Sequence, residues 1–137
     1  MLVKKSIITS LLAISVTSLP VLAQAGDLDV SNNTDEYSTT YILNPIGKVC
    51  SSTALGDDGI TKPRQQNHII SEGKLNLACF ADKTNCVAEV YMTNDCSGDK
   101  VATVTFDTST GVKSISMSSN KYVISGSGFK LQMDYRK

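Results

Sequence analysis

The chain of 137 residues contains a single histidine, His68, and that scarcity removes whole classes of chemistry at once. A Ser-His-Asp or Cys-His device needs an imidazole held by a carboxylate, and His68 is the only candidate. It stands beside Ile69 and Ile70 in a short apolar run, so a partly exposed strand or loop position is expected for it. No Gly-x-Ser-x-Gly elbow exists; Gly126-Ser127-Gly128 has the wrong frame and reads as a tight turn. Cys-x-x-Cys is also absent. This removes both a zinc knuckle and a thioredoxin-type redox pair, and no metal site or cofactor is expected. There is no internal repeat, no low-complexity linker, and no helix with good length, caps and a 3.6-residue period.

What the sequence does have begins at its N-terminus. Lys4 and Lys5 precede an apolar stretch from Ile7 to Leu19, then Pro20, then the small-x-small pattern Ala23-Gln24-Ala25. This is the layout of a cleavable secretory signal peptide spanning 1–25, with cleavage expected after Ala25 and the point after Ala23 as second choice. The stretch is diluted by Thr9, Ser10, Ser15, Thr17 and Ser18, and it falls short of the roughly 20 apolar residues of a membrane span. No membrane span is expected after cleavage, and the rest, 26–137, is long enough for one domain. Cleavage removes two lysines and no acid, leaving the mature chain slightly acidic. Without a basic surplus, nucleic acid is not an expected partner. A secreted or periplasmic location follows.

Four cysteines, Cys50, Cys79, Cys86 and Cys96, lie in the exported portion. In an oxidising compartment an even count in a small domain reads as two disulfides. Closure of short loops favours Cys50–Cys79 with Cys86–Cys96, the other two connectivities remaining open.

Wherever the hydrophobic pattern is clear its period is two. Phe129, Leu131, Met133 and Tyr135 alternate with Lys130, Gln132, Asp134 and Arg136, as in a strand with one buried face. The same alternation marks Ala102-Val104-Phe106, Ile115-Met117 and Leu28-Val30, while Tyr122-Val123-Ile124 and residues 37–43 read as further strands. Leu75, Leu77, Cys79 and Ala81 alternate before Asp82-Lys83-Thr84-Asn85, which predicts a hairpin with 86–92. Residues 51–62 form the longest expected loop. About eight short strands at near-regular spacing predict an all-β, two-sheet antiparallel sandwich stapled by disulfides.

Several side chains could carry chemistry. Glu89 sits among Val87, Val90, Tyr91 and Met92, and with a loop aspartate it would supply the carboxylate pair of a small hydrolase. It lies on the strand face opposite Cys86, Ala88 and Val90, so solvent exposure is the plainer reading. Asp95 and Asp99 flank the Cys96-Ser97-Gly98 turn. Asp57-Asp58-Gly59 and residues 94–99 cluster oxygen ligands of the kind calcium takes, yet neither follows the EF-hand spacing, and aspartate is common in turns. Asn32-Asn33-Thr34 fits a glycosylation sequon. Lys62-Pro63-Arg64 reads as a solvated basic turn.

The run from Cys86 to Gly98, Cys-Val-Ala-Glu-Val-Tyr-Met-Thr-Asn-Asp-Cys-Ser-Gly, together with Tyr122-Val-Ile-Ser-Gly-Ser-Gly-Phe129, resembles small exported proteins of Legionella-type intracellular bacteria, type II secretion cargo among them. The resemblance covers about two-thirds of the mature chain. It implies a secreted, β-rich protein without a catalytic signature, and it transfers no functional residue. The expected function is an exported, non-enzymatic binding or interaction module with a protein, glycan or lipid ligand, a secreted bacterial factor acting at a host or environmental surface. The alternatives are the small hydrolase using Glu89, and an envelope assembly subunit or enzyme inhibitor.

Overall fold

The computed structural model describes residues 26–137; the signal peptide expected over 1–25 lies outside the described residues. Nine strands form two sheets. The first has four strands in the order β4 (His68–Ile70), β1 (Leu28–Asn32), β9 (Lys130–Tyr135), β8 (Tyr122–Ser127). The second has five, ordered β3 (Gly47–Cys50), β2 (Thr39–Asn44), β5 (Cys86–Tyr91), β6 (Ala102–Asp107), β7 (Gly111–Met117). The fold is the all-β sandwich that the alternation implied. Pairing is antiparallel except between β1 and β9, which run parallel and bring the first and last strands side by side.

The inner faces follow the period-two pattern. Leu28, Val30, Val104, Phe106, Ile124 and Met133 are buried, while their strand neighbours are more exposed. Phe106 meets Phe129 edge to face, with ring centroids 5.7 Å apart. The sheets touch directly where Val112 bridges Gly128. The backbones approach closely at Gly111, whose φ is +100°; a Cβ there would also collide with the Gly128 carbonyl. Glycine is required on both counts.

Two segments differ from the alternation reading. Residues 51–62 are not a plain loop: they hold α1 (Ser51–Leu55) and a 3-10 turn, Gly56–Gly59. The run through Leu75 and Leu77 is not a strand but α2 (Glu72–Ala78), so the predicted hairpin with 86–92 does not form. The Ser71 side chain caps α2 by accepting from the Lys74 N–H, and the helix ends as the Cys79 N–H donates to the Leu75 carbonyl. Leu75 and Cys79 are buried four positions apart, whereas Leu77 and Phe80 face solvent. Four alternating apolar residues looked like a strand; only the pair with helical spacing is used.

The cysteines pair as Cys50–Cys96 and Cys79–Cys86, and none is free. The favoured pairing, Cys50–Cys79 with Cys86–Cys96, is therefore incorrect. Cys86 opens β5 and Cys96 lies beyond its end. A six-residue strand carries the chain away at about 3.3 Å per residue, while a disulfide needs Cα atoms within roughly 7 Å. Local closure instead joins the end of α2 to the start of β5.

Candidate functional site

Polar side chains of the described residues line a cleft at one end of the sandwich. Three segments wall it: the 33–37 turn after β1, the 93–101 loop between β5 and β6, and the 118–122 link from β7 to β8. Its volume is about 390 Å³, within the roughly 300–1,000 Å³ usual for small-molecule sites.

The turn carrying Glu36 is fixed by Asn32. This side chain is fully buried at the end of β1. Its amide donates to the carbonyls of Glu36 (2.6 Å) and Lys62 (3.0 Å), and its oxygen accepts from the N–H and hydroxyl of Thr34. Thr34 Oγ1 in turn accepts from the Glu36 N–H at 3.2 Å. Glu36 Oε2 then accepts from the Tyr122 hydroxyl at 2.5 Å and the Tyr135 hydroxyl at 3.4 Å, with Lys121 Nζ 3.7 Å away. Tyr122 and Tyr135 are register partners on β8 and β9 with stacked rings, and Lys121 lies over the Tyr122 ring. Burial, and then the bond to Glu36, push the Tyr122 phenol up, so it stays a neutral donor. Tyr122 chiefly, and Glu36 after it, hold Lys121 above its ordinary value.

The opposite wall is held by the Cys50–Cys96 disulfide, which ties the 93–101 loop to the end of β3. Thr39 Oγ1 donates to the Thr93 carbonyl and accepts from the Cys96 N–H, both at 2.9 Å. Cys96 adopts φ 59°. Asp95 Oδ1 accepts from the Ser97 N–H and hydroxyl, bonds that hold the Asp95 carboxyl below its ordinary range. Asp99 and Lys100 follow and line the cleft over Met92 and Val101. The lining thus holds two carboxylates, two ammonium groups and five hydroxyls, set around a small apolar floor.

Of the residues singled out in the sequence, Asp99 reaches this cleft, and Asp95 acts one step behind it by fixing the Ser97 turn. Glu89 is elsewhere, on the outer face of the five-stranded sheet. Its two oxygens face Lys48 at 3.1 Å and Lys100 at 3.7 Å, so its close partners are cations rather than a second carboxylate. His68 is buried on β4, not partly exposed; its Nδ1 lies 3.0 Å from Thr61 Oγ1. Burial pushes its pKa below the ordinary 6.5, with Asp58 opposing and Lys62 adding to the shift. Asp58 pairs with Lys74 of α2. Among the described residues no group of three or more His, Cys, Asp or Glu side chains is placed to hold a metal ion. The sequon asparagine, Asn32, is the buried hub just described and is closed to modification in the folded state. Arg64 of the basic turn clamps the Glu36 turn: it donates to Asp35 Oδ1 and to the Asn33 carbonyl, each at 2.8 Å.

Glu36, Lys121 and Tyr122 carry no local motif. They meet because β1 pairs with β9 and β9 with β8, a neighbourhood that chain spacing does not reveal.

A family model described as NttC, a T2SS substrate, matches residues 3–136. The crystal structure of the Legionella pneumophila type II secretion system substrate NttC is similar to this chain, with 25% identity and a TM-score of 0.62. That similarity covers 83% of this chain and 100% of the other. Among curated proteins, none matches.

Proposed function

The chain belongs to the NttC family of type II secretion substrates, and from that premise we propose that it is a non-enzymatic binding protein whose ligand occupies the cleft around Glu36. Its place in the family makes it an exported protein. No helix among the described residues is long and apolar enough to cross a membrane.

The observation that carries the binding reading is the balance of the cleft lining. Glu36 and Asp99 stand against Lys121 and Lys100, the latter also within 3.7 Å of Glu89, with the Ser118 and Ser119 hydroxyls between them. The hydroxyls of Thr93, Ser97 and Tyr122, already donating to the Ser97 carbonyl, Asp95 and Glu36, are left to act as acceptors. Equal numbers of opposite charges give no field that selects an ion of either sign. Donors and acceptors at close intervals instead suit a neutral ligand bearing several hydroxyls, such as a short glycan. Glu36 Oε2 is already occupied by the tyrosines, so the carboxylate is held in place before a ligand arrives and little ordering is left to do on binding. Tyr122 offers no open ring face, being stacked on Tyr135 and covered by Lys121. Affinity therefore rests on hydrogen bonds rather than ring stacking and will be modest per site.

The test is a printed panel of mono- to tetrasaccharides probed with the exported, oxidised protein, followed by titration calorimetry on any hit. Glu36→Gln and Lys121→Ala should each weaken binding roughly tenfold, about 1.4 kcal/mol. Failure to bind any member of the panel, or binding untouched by both substitutions, would overturn the assignment.

A further inference from the structure

A second space, sharing no lining residue with the cleft, lies between the two sheets on the side bordered by α1, the 3-10 turn and α2. Its volume is about 110 Å³. Ile42 and Ala88 contribute from the five-stranded sheet, Val30 and Met133 from the four-stranded sheet, and Leu75 and Ala78 from α2. Protein interiors are packed nearly as densely as organic crystals and leave few voids larger than one water. Here alanines at 78 and 88 leave open a volume that larger side chains would fill.

The chemistry of the walls fixes what can enter. A trapped water needs two to four polar partners. The accessible wall is overwhelmingly apolar, its polar part being confined to a few hydroxyls, of which that of Thr39 donates to the Thr93 carbonyl. Thr61, which also lines the space, is engaged with His68 Nδ1, and Ser51 donates to the Gly59 carbonyl at 2.5 Å. Water therefore gains little by occupying the cavity, whereas an apolar molecule exchanges solvent for contacts with alkyl groups. An engineered cavity of about 150 Å³ lined by Leu, Ile and Phe stays dry and takes up benzene or xenon; this one is of the same order.

We infer that the space between the sheets is a binding site for a compact, uncharged apolar ligand no larger than a single aromatic ring. The site stands apart from the polar cleft and does not depend on that assignment.

The direct test uses benzene as the probe. Methyl-detected NMR spectra and thermal unfolding of the oxidised protein are recorded with and without saturating benzene. Saturable shifts of the methyl signals of Ile42, Leu75, Val104 and Met133 are expected, with Tm raised by about 2 °C or more. Ala88→Leu and Ala78→Leu fill the space from opposite walls, and whichever folds should lose both responses. Should neither fold, the methyl shifts of the unsubstituted protein decide alone. Unmoved methyl signals and an unchanged Tm in that protein would overturn the inference, as would identical benzene responses in a folded, filled variant.

Discussion

Asn32 uses both amide protons and accepts two bonds at its oxygen while fully buried, so its whole hydrogen-bonding capacity is spent inside the protein. Asn32→Ala removes four bonds and leaves the Thr34 N–H without its acceptor. The Glu36 carbonyl keeps only the long 3.4 Å bond from the Thr34 hydroxyl, and the Lys62 carbonyl only the Gln65 N–H at 3.1 Å. Each buried group left unsatisfied costs about 1–3 kcal/mol; with part of that recovered by local relaxation, a loss of roughly 3 kcal/mol is expected in urea unfolding. A loss under about 1 kcal/mol would show that the 33–37 turn does not depend on this residue. His68 gives a prediction of different kind. Its folded pKa lies below 6.5 because burial disfavours the charged ring. Between the lowered folded value and 6.5 the unfolded chain binds the proton and the folded chain does not. Its contribution is thus complete above pH 6.5 and declines as the pH falls below it. Unfolding measured from pH 8 downward should show this decline, and His68→Asn, which retains a partner for Thr61, should flatten it. An unchanged pH profile in the variant would contradict the assignment. Arg64–Asp35, by contrast, is an exposed ion pair, and removing its charges should cost little.

At the scale of elements, the two disulfides act through loops of very different size. Cys50–Cys96 spans 46 positions and Cys79–Cys86 spans 7. Restriction of the unfolded chain grows with the logarithm of loop length, giving about 4 kcal/mol for the long loop and about 2 for the short one. The double substitution Cys50→Ala/Cys96→Ala should therefore destabilise by about 2 kcal/mol more than Cys79→Ala/Cys86→Ala. The reverse order would place the main staple at α2. How legible these elements were depended on what their side chains had to satisfy. β6 and β9 each bury one face, so alternation revealed them in full. α2 was hidden because Leu77 and Ala81 are apolar yet exposed, which turned the helical pair Leu75 and Cys79 into an apparent strand. Cysteine pairing was hidden as well, because it depends on where β5 carries the chain and not on separation along it.

For the whole molecule, export was legible from the first residues and from the resemblance, and membership of the NttC family agrees with both. The cleft was almost wholly illegible. Asp95 and Asp99 were visible as a turn cluster, but Glu36, Lys121 and Tyr122 come from the two ends of the described chain and meet only through the parallel β1–β9 pairing. The Cys50–Cys96 disulfide links the scales: one covalent bond both restrains the longer loop and holds a wall of the cleft in place. Ligand binding by the exported protein in this cleft is the proposal on which the others at this scale depend. Its most direct measurement is amide chemical-shift mapping of the oxidised protein titrated with the tightest-binding saccharide of the panel. Saturable shifts concentrated at Glu36, Asp99 to Val101 and Ser118 to Tyr122 are the predicted result. Shifts that map instead to the outer sheet face around Glu89, or none at ligand saturation, would contradict it.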